Sequence, residues 1–428
     1  MSACLVMLTK CFPYGIGEEF IENELPAVAR EFDRVILIAT SVAGPAAPTR
    51  PVPENTEPHA VPAGRIRRRV PAAALKTLLV PPKGAWCPAE REAAGRSSLR
   101  RLFFAYLAAK GKTVARAASA VLAGAGLSQY DRVVFYSYWL YDTAVAAALL
   151  RKGCGAGSAR AVSRAHGYDL YPSRNPLGYL PMRPYLLKNL NAVFPCSLDG
   201  ARLLRRAYPE FAGKVEPAYL GTRDFGPGPR NTGDVFHIVS CCHISPVKRV
   251  DLLAESLSRL SGSGLKLKWT HFGAGGGLDE LKRYAARNLG FLECRFAGEV
   301  KNADLMAFYA QTPVDCLINT SSSEGLPVSI MEACSFGIPA LATDVGGTSE
   351  IVRDGENGFL LRPDFSPDEL AGKIRELAEA PAGEKAALRA AARRVWQENF
   401  CAASNYEKFA RRLLGGPKES LGGGNPGR

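Results

Sequence analysis

Short runs of apolar and β-branched residues alternate along the chain with longer segments of helical periodicity. The runs in the first half are ACLVMLT, RVILIAT, RVVFYSY, ARAVSRAHG, NAVFPCS and KVEPAYLG, and those in the second half are FHIVSCC, LKLKWTHFG, LECRFAG, DCLINT, IPALATDV and GFLL. Strands that alternate with helices are typical of βαβ units with a parallel sheet. We therefore predict an α/β protein with two Rossmann-like doubly wound domains.

A stretch rich in glycine and proline, GTRDFGPGPRNTGD, separates the two sets of strands and predicts a domain boundary. We place an N-terminal domain at 1–225, a linker at 226–232 and a C-terminal domain at 233–399. A helical pattern at about 400–415 is predicted to pack back on the first domain, and 416–428 to form a disordered tail. Because parallel sheets bind ligands beyond the carboxyl ends of their strands, we expect the functional loops there.

Composition narrows the class of protein. Hydrophobic residues make up 47% of the chain and charged residues 22%, as in globular proteins. The 11 cysteines are scattered and form no CxxC pair, which favours buried thiols in a reducing cytosol over disulfides or zinc. The start, MSACLVMLTKCFPYG, resembles a buried strand more than a signal peptide, and no apolar run approaches the roughly 18 residues of a spanning helix. We predict a cytoplasmic protein.

The positive charge is concentrated in one segment. Residues 65–116 contain 13 Lys and Arg against Glu90 and Glu92, a net +11 of the total +13. One interpretation is a solvated face or a flexible insertion. The other is a surface that docks on anionic lipid headgroups at the inner face of the cell membrane, where each cation contributes about 1 kcal/mol. Nucleic acid is not an expected partner, because the chain has no recognition motif.

The segment NTSSSEGLPVSIMEACSFGIPALATDVGG predicts a strand, a loop, a helix with Pro327 near its start and a second strand. The free N–H groups of the first helical turn favour an anion. Glu324 before that turn and Glu332 within the helix are about 9–12 Å apart at 1.5 Å per residue. This span suits a ligand with a central diphosphate and a hydroxyl-bearing ring at each end. Glu324 as a dipole partner and Glu332 as a solvated residue remain the alternative.

The longer segment EGLPVSIMEACSFGIPALATDVGGTSEIVRDGENGFLL resembles the nucleotide-sugar site of family 4 retaining glycosyltransferases. That family has the GT-B fold, with two Rossmann-like domains facing a central cleft, and a Glu-x7-Glu motif. The resemblance implies that Glu324 holds the donor sugar's hydroxyls and Glu332 the nucleotide ribose. It also implies that the backbone of Gly325 and Leu326 lies against the sugar and phosphates. It implies further that the N-terminal domain, 1–225, is the acceptor side and that the C-terminal domain, 233–399, binds the nucleotide-sugar. The segments FYSYWLYDTA and NFCAASNYEKF look like bacterial surface-polysaccharide transferases.

A second segment, IVSCCHISPVKRVDLLAESL, is similar to the family's G-R-x-x-x-x-K-G motif, whose cations neutralise the donor diphosphate. Lys248 falls on the family lysine, whereas His243 replaces the usual arginine and Cys242 the usual glycine. Neutral imidazole offers one donor against the five of arginine. The resemblance therefore implies that Lys248 and the helix start stabilise the leaving group. His243 either joins them when protonated or is structural, and Arg249 either contacts the donor or is solvated.

Two segments of the first half are also similar to the family. SRAHGYDLY places His166 where a family histidine reaches a donor-sugar hydroxyl near the reacting carbon, with a structural histidine as the alternative. Its neighbours Arg164 and Asp169 receive no role. TKCFPYGIGEEFIENEL resembles the family's first loop, in which Gly15 and Gly17 permit close approach of the backbone to donor phosphate or acceptor.

Two shorter signals concern the nucleotide. FAGEV is similar to the family segment that lines the base pocket and implicates Gly298 and Val300. FGAGGGL ends in leucine where a dinucleotide fingerprint needs glycine or alanine, so we predict a tight strand-to-helix turn there.

The resemblance therefore implies a retaining hexosyltransferase that moves a sugar from a nucleotide diphosphate donor, with a UDP-sugar favoured, to a saccharide or lipid-linked saccharide acceptor in surface-polysaccharide synthesis. The expected catalytic residues are His166, Lys248 and Glu324. We expect no metal and no cofactor, since no DxD motif follows a strand. A nucleotide-sugar epimerase of the same fold and a non-catalytic nucleotide-sugar-binding protein are the alternatives.

Overall fold

The computed structural model describes residues 1–43, 47–156 and 158–416. The chain divides into two compact units: unit 1 is Met1–Leu220 with Ala403–Arg428, and unit 2 is Gly221–Ala402. The residues predicted as a linker, 226–232, belong to unit 2, where the Gly228 N–H donates to the Phe336 carbonyl oxygen at 2.9 Å. The predicted tail lies outside the described residues from 417 onward.

Unit 1 is built on a parallel sheet with helices on both faces. Its strands are β1 (Ala3–Thr9), β2 (Arg34–Val42), β3 (Thr56–Pro62), β4 (Arg132–Ser137), β5 (Ser158–Ala165) and β6 (Ala192–Pro195), in the spatial order β3-β2-β1-β4-β5-β6. Its helices before residue 220 are α1 (Ile21–Ala29), α2 (Ala63–Leu79), α3 (Pro88–Ala94), α4 (Ser98–Leu122), α5 (Asp142–Lys152), α6 (Arg183–Asn189) and α7 (Leu198–Ala207).

Unit 2 repeats this arrangement. Its strands are β7 (Val235–Cys241), β8 (Lys266–Phe272), β9 (Glu293–Gly298), β10 (Cys316–Asn319), β11 (Ala340–Thr343) and β12 (Gly358–Leu361), in the order β12-β11-β10-β7-β8-β9. Its helices are α8 (Val250–Ser258), α9 (Leu278–Asn288), α10 (Asn302–Gln311), α11 (Val328–Ser335), α12 (Thr348–Ile351), α13 (Pro367–Glu379) and α14 (Ala382–Asn399). Both sheets have the Rossmann order, so the topology reverses between β1 and β4 and between β7 and β10.

Alternation along β1 shows why a doubly wound sheet forms. Cys4, Val6 and Leu8 belong to the apolar core on one face of the sheet. Leu5 and Met7 belong to the core on the other face. Because successive side chains of a strand point to opposite faces, a continuous apolar run buries both of them.

The last helix, α15 (Ala402–Leu413), packs on unit 1. Phe409, Ala410 and Leu413 share an apolar core with β1 residues of that unit. The Asn405 amide also donates to the Leu220 carbonyl oxygen at 2.9 Å. The chain therefore crosses to unit 2 and returns to complete the core of unit 1.

Two strand predictions in unit 1 were wrong. The segment TEPHAVP forms β3, whose prolines are tolerated because β3 lies at the edge of the sheet. The segment KVEPAYLG forms no strand, although the N–H groups of Glu216 and Ala218 donate to β6 carbonyls at 2.9 and 2.8 Å. Pro217, between them, has no N–H to donate.

The basic segment is helical, so its interpretation as a flexible insertion was wrong. It forms α2, α3 and α4 between β3 and β4. α2 buries Ile66, Val70 and Ala74 on one stripe and exposes its arginines. Within the described residues, no helix has the length and apolar character needed to cross a bilayer.

Candidate functional site

In unit 2, the loops after β7 and β10 meet at the point where the strand order reverses. The Ser322 N–H donates to the Val247 carbonyl oxygen at 2.8 Å, and the Thr320 hydroxyl donates to the Lys248 carbonyl oxygen at 2.9 Å. These hydrogen bonds hold the two loops side by side. Doubly wound sheets bind their ligands at such a reversal, beyond the carboxyl ends of the strands.

Lys248 and Glu324 form an ion pair across these loops. The Lys248 Nζ donates to Glu324 Oε1 at 2.7 Å, and the Asn319 amide donates to the same oxygen at 3.2 Å. Burial opposes ionisation of Glu324, but the Lys248 ammonium and hydrogen bonds from Lys248, Ser321 and Asn319 outweigh it and hold the pKa of the carboxyl below its ordinary value. Glu324 is therefore an ionised acceptor, and the side chain of Lys248 remains 27% exposed.

Arg249 bonds to the loop after β10. Its Nε and Nη1 donate to the carbonyl oxygens of Thr320 and Pro363 at 2.7 and 2.8 Å. Its Nη2 lies 3.4 Å from the Ser321 carbonyl oxygen and 3.4 Å from the Thr343 hydroxyl. These contacts hold the loop in place, and the expected contact of Arg249 with the donor stays a prediction.

Glycines place the backbone of Glu324 and Gly325. A Cβ at Gly346 would lie 1.9 Å from the Glu324 carbonyl oxygen, and Gly346 has a left-handed φ of +56°. The next N–H, of Gly347, donates to the Gly325 carbonyl oxygen at 3.0 Å. Gly325 and Leu326 are buried directly before α11. Gly346 and Gly347 therefore allow the loop that carries Glu324 to pack closely against the loop after β11.

Glu332 lies on α11 and contacts the segment predicted to line a base pocket. Its Oε1 accepts from the Asn302 amide at 2.7 Å. Gly298, at the end of β9, and Val300 are half-buried and lead directly to Asn302 at the start of α10. Burial raises the pKa of the Glu332 carboxyl to about 7, against the opposing hydrogen bond from Asn302. The hydroxyl of Tyr309, wholly buried nearby on α10, has no hydrogen-bond partner.

His243 is exposed in the loop after β7. This loop packs on FGAGGGL, which forms the predicted turn between β8 and α9. A Cβ at Gly273 would lie 1.9 Å from the Cys242 carbonyl oxygen, and one at Gly275 would lie 2.2 Å from that of Ile244. The glycines of FGAGGGL therefore permit two loops to touch, which explains their spacing without a dinucleotide.

In unit 1, His166 follows the carboxyl end of β5 and is 7% exposed. Its backbone N–H donates to Asp169 Oδ1 at 2.6 Å, while neither ring nitrogen has a hydrogen-bond partner among the residues that the structure describes. Burial, then the charges of Arg164 and Lys10, lower the pKa of His166 well below its usual value, so the ring is neutral at pH 7. The other Asp169 oxygen accepts from the Leu140 N–H at 2.6 Å, which ties the loops after β4 and β5 together.

Arg164 has a structural role. Its Nε donates to Glu24 Oε2 at 2.8 Å, and both side chains are fully buried. Its Nη1 donates to the Ala218 carbonyl oxygen at 2.7 Å, and its guanidinium carbon lies 3.8 Å from the Phe409 ring centroid. Arg164 therefore joins β5 to α1 and α15.

Gly15 and Gly17 lie in the loop after β1, with left-handed φ values of +73° and +104°. The shape of this loop depends on Glu18, which the sequence analysis did not single out. The Glu18 carboxylate accepts from the N–H groups of Cys11 and Phe12 at 2.7 and 2.8 Å. Glu18 thus takes the donors that an anion would use at this strand end.

In unit 2 the structure places the predicted residues in two groups. Lys248 contacts Glu324, which directly precedes Gly325 and Leu326, and Glu332 contacts Asn302, two residues after Val300. His166, Gly15 and Gly17 lie in unit 1, in different loops. The sequence analysis gave no role to four polar side chains that contact these groups or hold their loops: Glu18, Asp169, Asn302 and Asn319. Asn319 ends a strand, a position that could have marked it.

Comparison with known proteins identifies the class. Residues 229–395 match the family model described as glycosyl transferases group 1. The O-antigen biosynthesis glycosyltransferase WbnH of Escherichia coli is 34% identical over 133 residues, which cover 30% of this chain and 34% of WbnH. The putative colanic acid biosynthesis glycosyltransferase WcaL of Escherichia coli K12 is 25% identical over 250 residues, 55% of this chain and 59% of WcaL. The matched stretches thus span about a third of the first relative and under two thirds of the second.

Solved structures extend the likeness to both units. The crystal structure of HepE from Anabaena in complex with UDP has a TM-score of 0.64 at 18% identity, covering 97% of this chain and 100% of HepE. The lipopolysaccharide outer core galactosyltransferase WaaB, in its apo form, has a TM-score of 0.62 at 16% identity, covering 96% and 99%. The predicted GT-B fold class is therefore confirmed. The family match lies within unit 2 and supports a group 1 glycosyltransferase, while the retaining family 4 assignment stays a prediction.

Proposed function

We propose that this protein transfers a hexosyl-type sugar from a UDP-sugar to an acceptor hydroxyl, with retention at the anomeric carbon. The observation that carries the proposal is the ion pair of Lys248 and Glu324 beside the start of α11, at the strand reversal of unit 2. The solved structures of HepE with UDP and with UDP-glucose support this choice of donor.

In the proposed mechanism, the diphosphate takes Lys248 from Glu324. The ammonium and the first N–H groups of α11 then stabilise the leaving diphosphate. Glu324, released from Lys248, accepts hydrogen bonds from the donor sugar, and Glu332 accepts from the ribose. The acceptor oxygen bonds to the anomeric carbon on the face from which the phosphate leaves, and its proton passes to the leaving phosphate oxygen. Protein groups supply the positive charge, so the proposal needs no metal and no cofactor.

The proposed acceptor is a saccharide or lipid-linked saccharide of a surface polysaccharide. The names of WbnH and WcaL refer to O-antigen and colanic acid biosynthesis, which supports this class. The four arginines of α2 are exposed and form a cationic face suited to anionic lipid headgroups: Arg65, Arg67, Arg68 and Arg69. We therefore place the reaction at the cytoplasmic face of the membrane, with the protein bound peripherally.

Calorimetry with UDP, GDP, ADP and dTDP tests the donor. We expect UDP to bind most tightly, and Lys248→Met to weaken it about 10- to 100-fold, since a charge-assisted hydrogen bond contributes about 1.5–3 kcal/mol. Lys268→Met, in the same unit but on β8, is the control. Equal binding by wild type and Lys248→Met would refute the site.

Turnover separates the proposal from its alternatives. Incubation with a UDP-sugar and candidate acceptors, followed by NMR of the product's anomeric proton, should show transfer with retention. Conversion of the donor to its epimer without an acceptor would favour the epimerase. UDP-sugar binding without turnover on any acceptor would favour a non-catalytic binding protein.

A further inference from the structure

An apolar groove in unit 1 has no part in the site described above. It lies between α2, α4 and residues 175–177, and its cavity volume is about 610 Å³. This volume is within the roughly 300–1,000 Å³ of small-ligand sites. Leu75 and Leu78 of α2 and Leu102 and Tyr106 of α4 line it. The groove therefore has the size and the surface of a site for a hydrocarbon.

The groove leaves apolar side chains in water. Leu75 is 64% exposed, Leu78 43%, Leu102 50% and Tyr106 43%. Single exposed apolar residues are ordinary on protein surfaces, but several that cluster around one concavity mark an interaction surface. Covering these leucines by hydrocarbon would stabilise the complex, since burial of apolar surface is favourable.

A series of aromatic rings leads from the groove to His166. Phe103, on the groove wall, lies 6.2 Å from Tyr141, and Tyr141 lies 5.8 Å from Tyr168, centroid to centroid. Tyr168 lies 4.8 Å from Trp139, which lies 4.6 Å from His166. Phe103, Tyr141, Tyr168 and Trp139 are all half-buried and not fully enclosed. Aromatic rings have an apolar body and a polar edge, which suits a saccharide with hydroxyl edges and C–H faces.

The charges near the groove favour one kind of occupant. Lys76 of α2 and Arg101 of α4 are exposed beside groove residues, within the segment that carries a net +11. Arg100 donates from Nε to the Leu177 carbonyl oxygen at 2.9 Å and so fixes the third wall. A second copy of the chain would bring the same positive segment and be repelled. A lipid whose headgroup carries phosphate would be attracted.

We propose that unit 1 binds the lipid-linked saccharide itself, with its hydrocarbon chain in the groove and its saccharide along Tyr141, Tyr168 and Trp139 toward His166. The proposal rests on the proposed function in one respect, namely that the acceptor carries a lipid. The N-terminal domain is already expected to be the acceptor side, and the new assignment is of the hydrocarbon chain to the groove of α2 and α4 and of the saccharide to residues of the β4 and β5 loops.

The test uses the full chain and an alkyl saccharide, decyl maltoside below its micelle-forming concentration, with maltose as the probe that lacks the chain. We expect calorimetry to detect decyl maltoside binding that is at least about tenfold tighter than maltose binding. Leu78→Glu, in the groove, should weaken decyl maltoside about tenfold. Leu99→Glu, an exposed leucine of α4 outside the groove, is the matched control. Trp139→Ala should weaken the binding of decyl maltoside. It should leave the binding of decanol unchanged, because decanol has no saccharide to contact Trp139.

Several outcomes would overturn the proposal. Decyl maltoside that binds no more tightly than maltose would remove the groove as a lipid site. Equal losses in Leu78→Glu and Leu99→Glu would indicate non-specific apolar contact. Sedimentation that shows a dimer in wild type and a monomer in Leu78→Glu would assign the groove to a second copy. UDP binding, measured on the same variants, should be unchanged. Failure of the donor-site proposal would therefore show in UDP binding, and failure of the lipid-site proposal in decyl maltoside binding.

Discussion

Carboxylates at the strand ends have different partners, and the partners decide their roles. Glu18 and Asp169 accept hydrogen bonds from backbone N–H groups and hold loops in place. Glu324 is neutralised by Lys248, so a ligand that takes the ammonium also frees the carboxylate. Glu332 contacts a single amide and has a pKa raised by burial. In the proposed function, donor binding is therefore an exchange of partners within a preformed ion pair.

The raised pKa of Glu332 makes UDP binding depend on pH. Its carboxyl titrates at about 7, so below that pH the free protein carries it protonated, with one fewer acceptor for ribose hydroxyls. We expect UDP affinity to rise about tenfold from pH 6 to pH 8, because binding must displace a proton at the lower pH. Calorimetry of wild type and Glu332→Gln checks this. The phosphate's own titration is common to both proteins, so identical pH profiles would contradict the assignment.

Replacement of Arg164 should lower the free energy of unfolding of unit 1 and leave unit 2 unaffected. Arg164→Met leaves Glu24 as an unpaired buried charge, and breaking such a pair costs about 3–5 kcal/mol. Urea denaturation followed by circular dichroism measures the loss. The exposed Arg67→Met should change the free energy of unfolding by less than about 0.5 kcal/mol. A loss of under about 1 kcal/mol in Arg164→Met would show that the pair is not held as described.

At the scale of elements, glycines decide how closely segments approach. Gly273 and Gly346 let neighbouring loops of unit 2 touch at backbone distance, and Gly111 does the same for α4 and α5 of unit 1. Gly111 lies inside α4, where glycine is less favourable than alanine, so this position loses local helix preference in order to permit the contact.

Gly346→Ala tests the placement of Glu324. The added Cβ would meet the Glu324 carbonyl oxygen at 1.9 Å, so the loop must move, and we expect UDP-sugar affinity to fall about tenfold or more. Gly355→Ala is the control, because Gly355 has a similar left-handed φ of +74° with nothing within 4 Å. Both variants carry the same backbone strain, so equal affinities would mean that the contact with Glu324 is unimportant.

Gly111→Ala tests the packing of α4 on α5. Its Cβ would lie 2.5 Å from Val145 Cβ, and overpacking of this kind costs about 1–3 kcal/mol. Gly372→Ala, in an open position of α13, should instead stabilise by up to about 1 kcal/mol. Thermal denaturation compares the two. Adding Val145→Ala should recover part of the loss in Gly111→Ala, and the absence of recovery would point to another cause.

At the scale of the whole molecule, the charge is unevenly distributed. A net +11 of the total +13 lies on 65–116, and the structure converts that segment into α2, α3 and α4 with exposed arginines and an apolar groove. Cations and exposed leucines on the same helices favour contact with an anionic lipid surface.

Vesicle binding tests this surface. We expect the protein to sediment with vesicles of anionic lipid and not with neutral ones, and the binding to weaken with salt. Replacing Arg67, Arg68 and Arg69 by Gln should weaken it about 100-fold, at about 1 kcal/mol for each cation. Replacing Lys282, Arg283 and Arg287 by Gln removes the same charge from unit 2. If both triple variants bind alike, net charge alone and not this surface determines binding.

The sequence by itself determined the fold class, the strands of unit 2 and the pairing of Glu324 with Glu332 and Lys248 as candidates. These follow from local signals: apolar runs that bury both faces of a strand, and motifs of fixed spacing. It missed β3, an edge strand whose prolines are unusual in strands, and one of its interpretations of the segment 65–116, a flexible insertion, was wrong.

Only the tertiary structure decided which side chains meet across long separations. Lys248 reaches Glu324 over 76 positions of the chain, and Arg164 reaches Glu24 over 140. The guanidinium of Arg249 bonds to the backbone carbonyl oxygens of Thr320 and Pro363, and α2 and α4 line a groove that no run of residues in the sequence predicts. The physical reason is that a side chain's role depends on its partners, and a parallel sheet brings those partners together from distant strands.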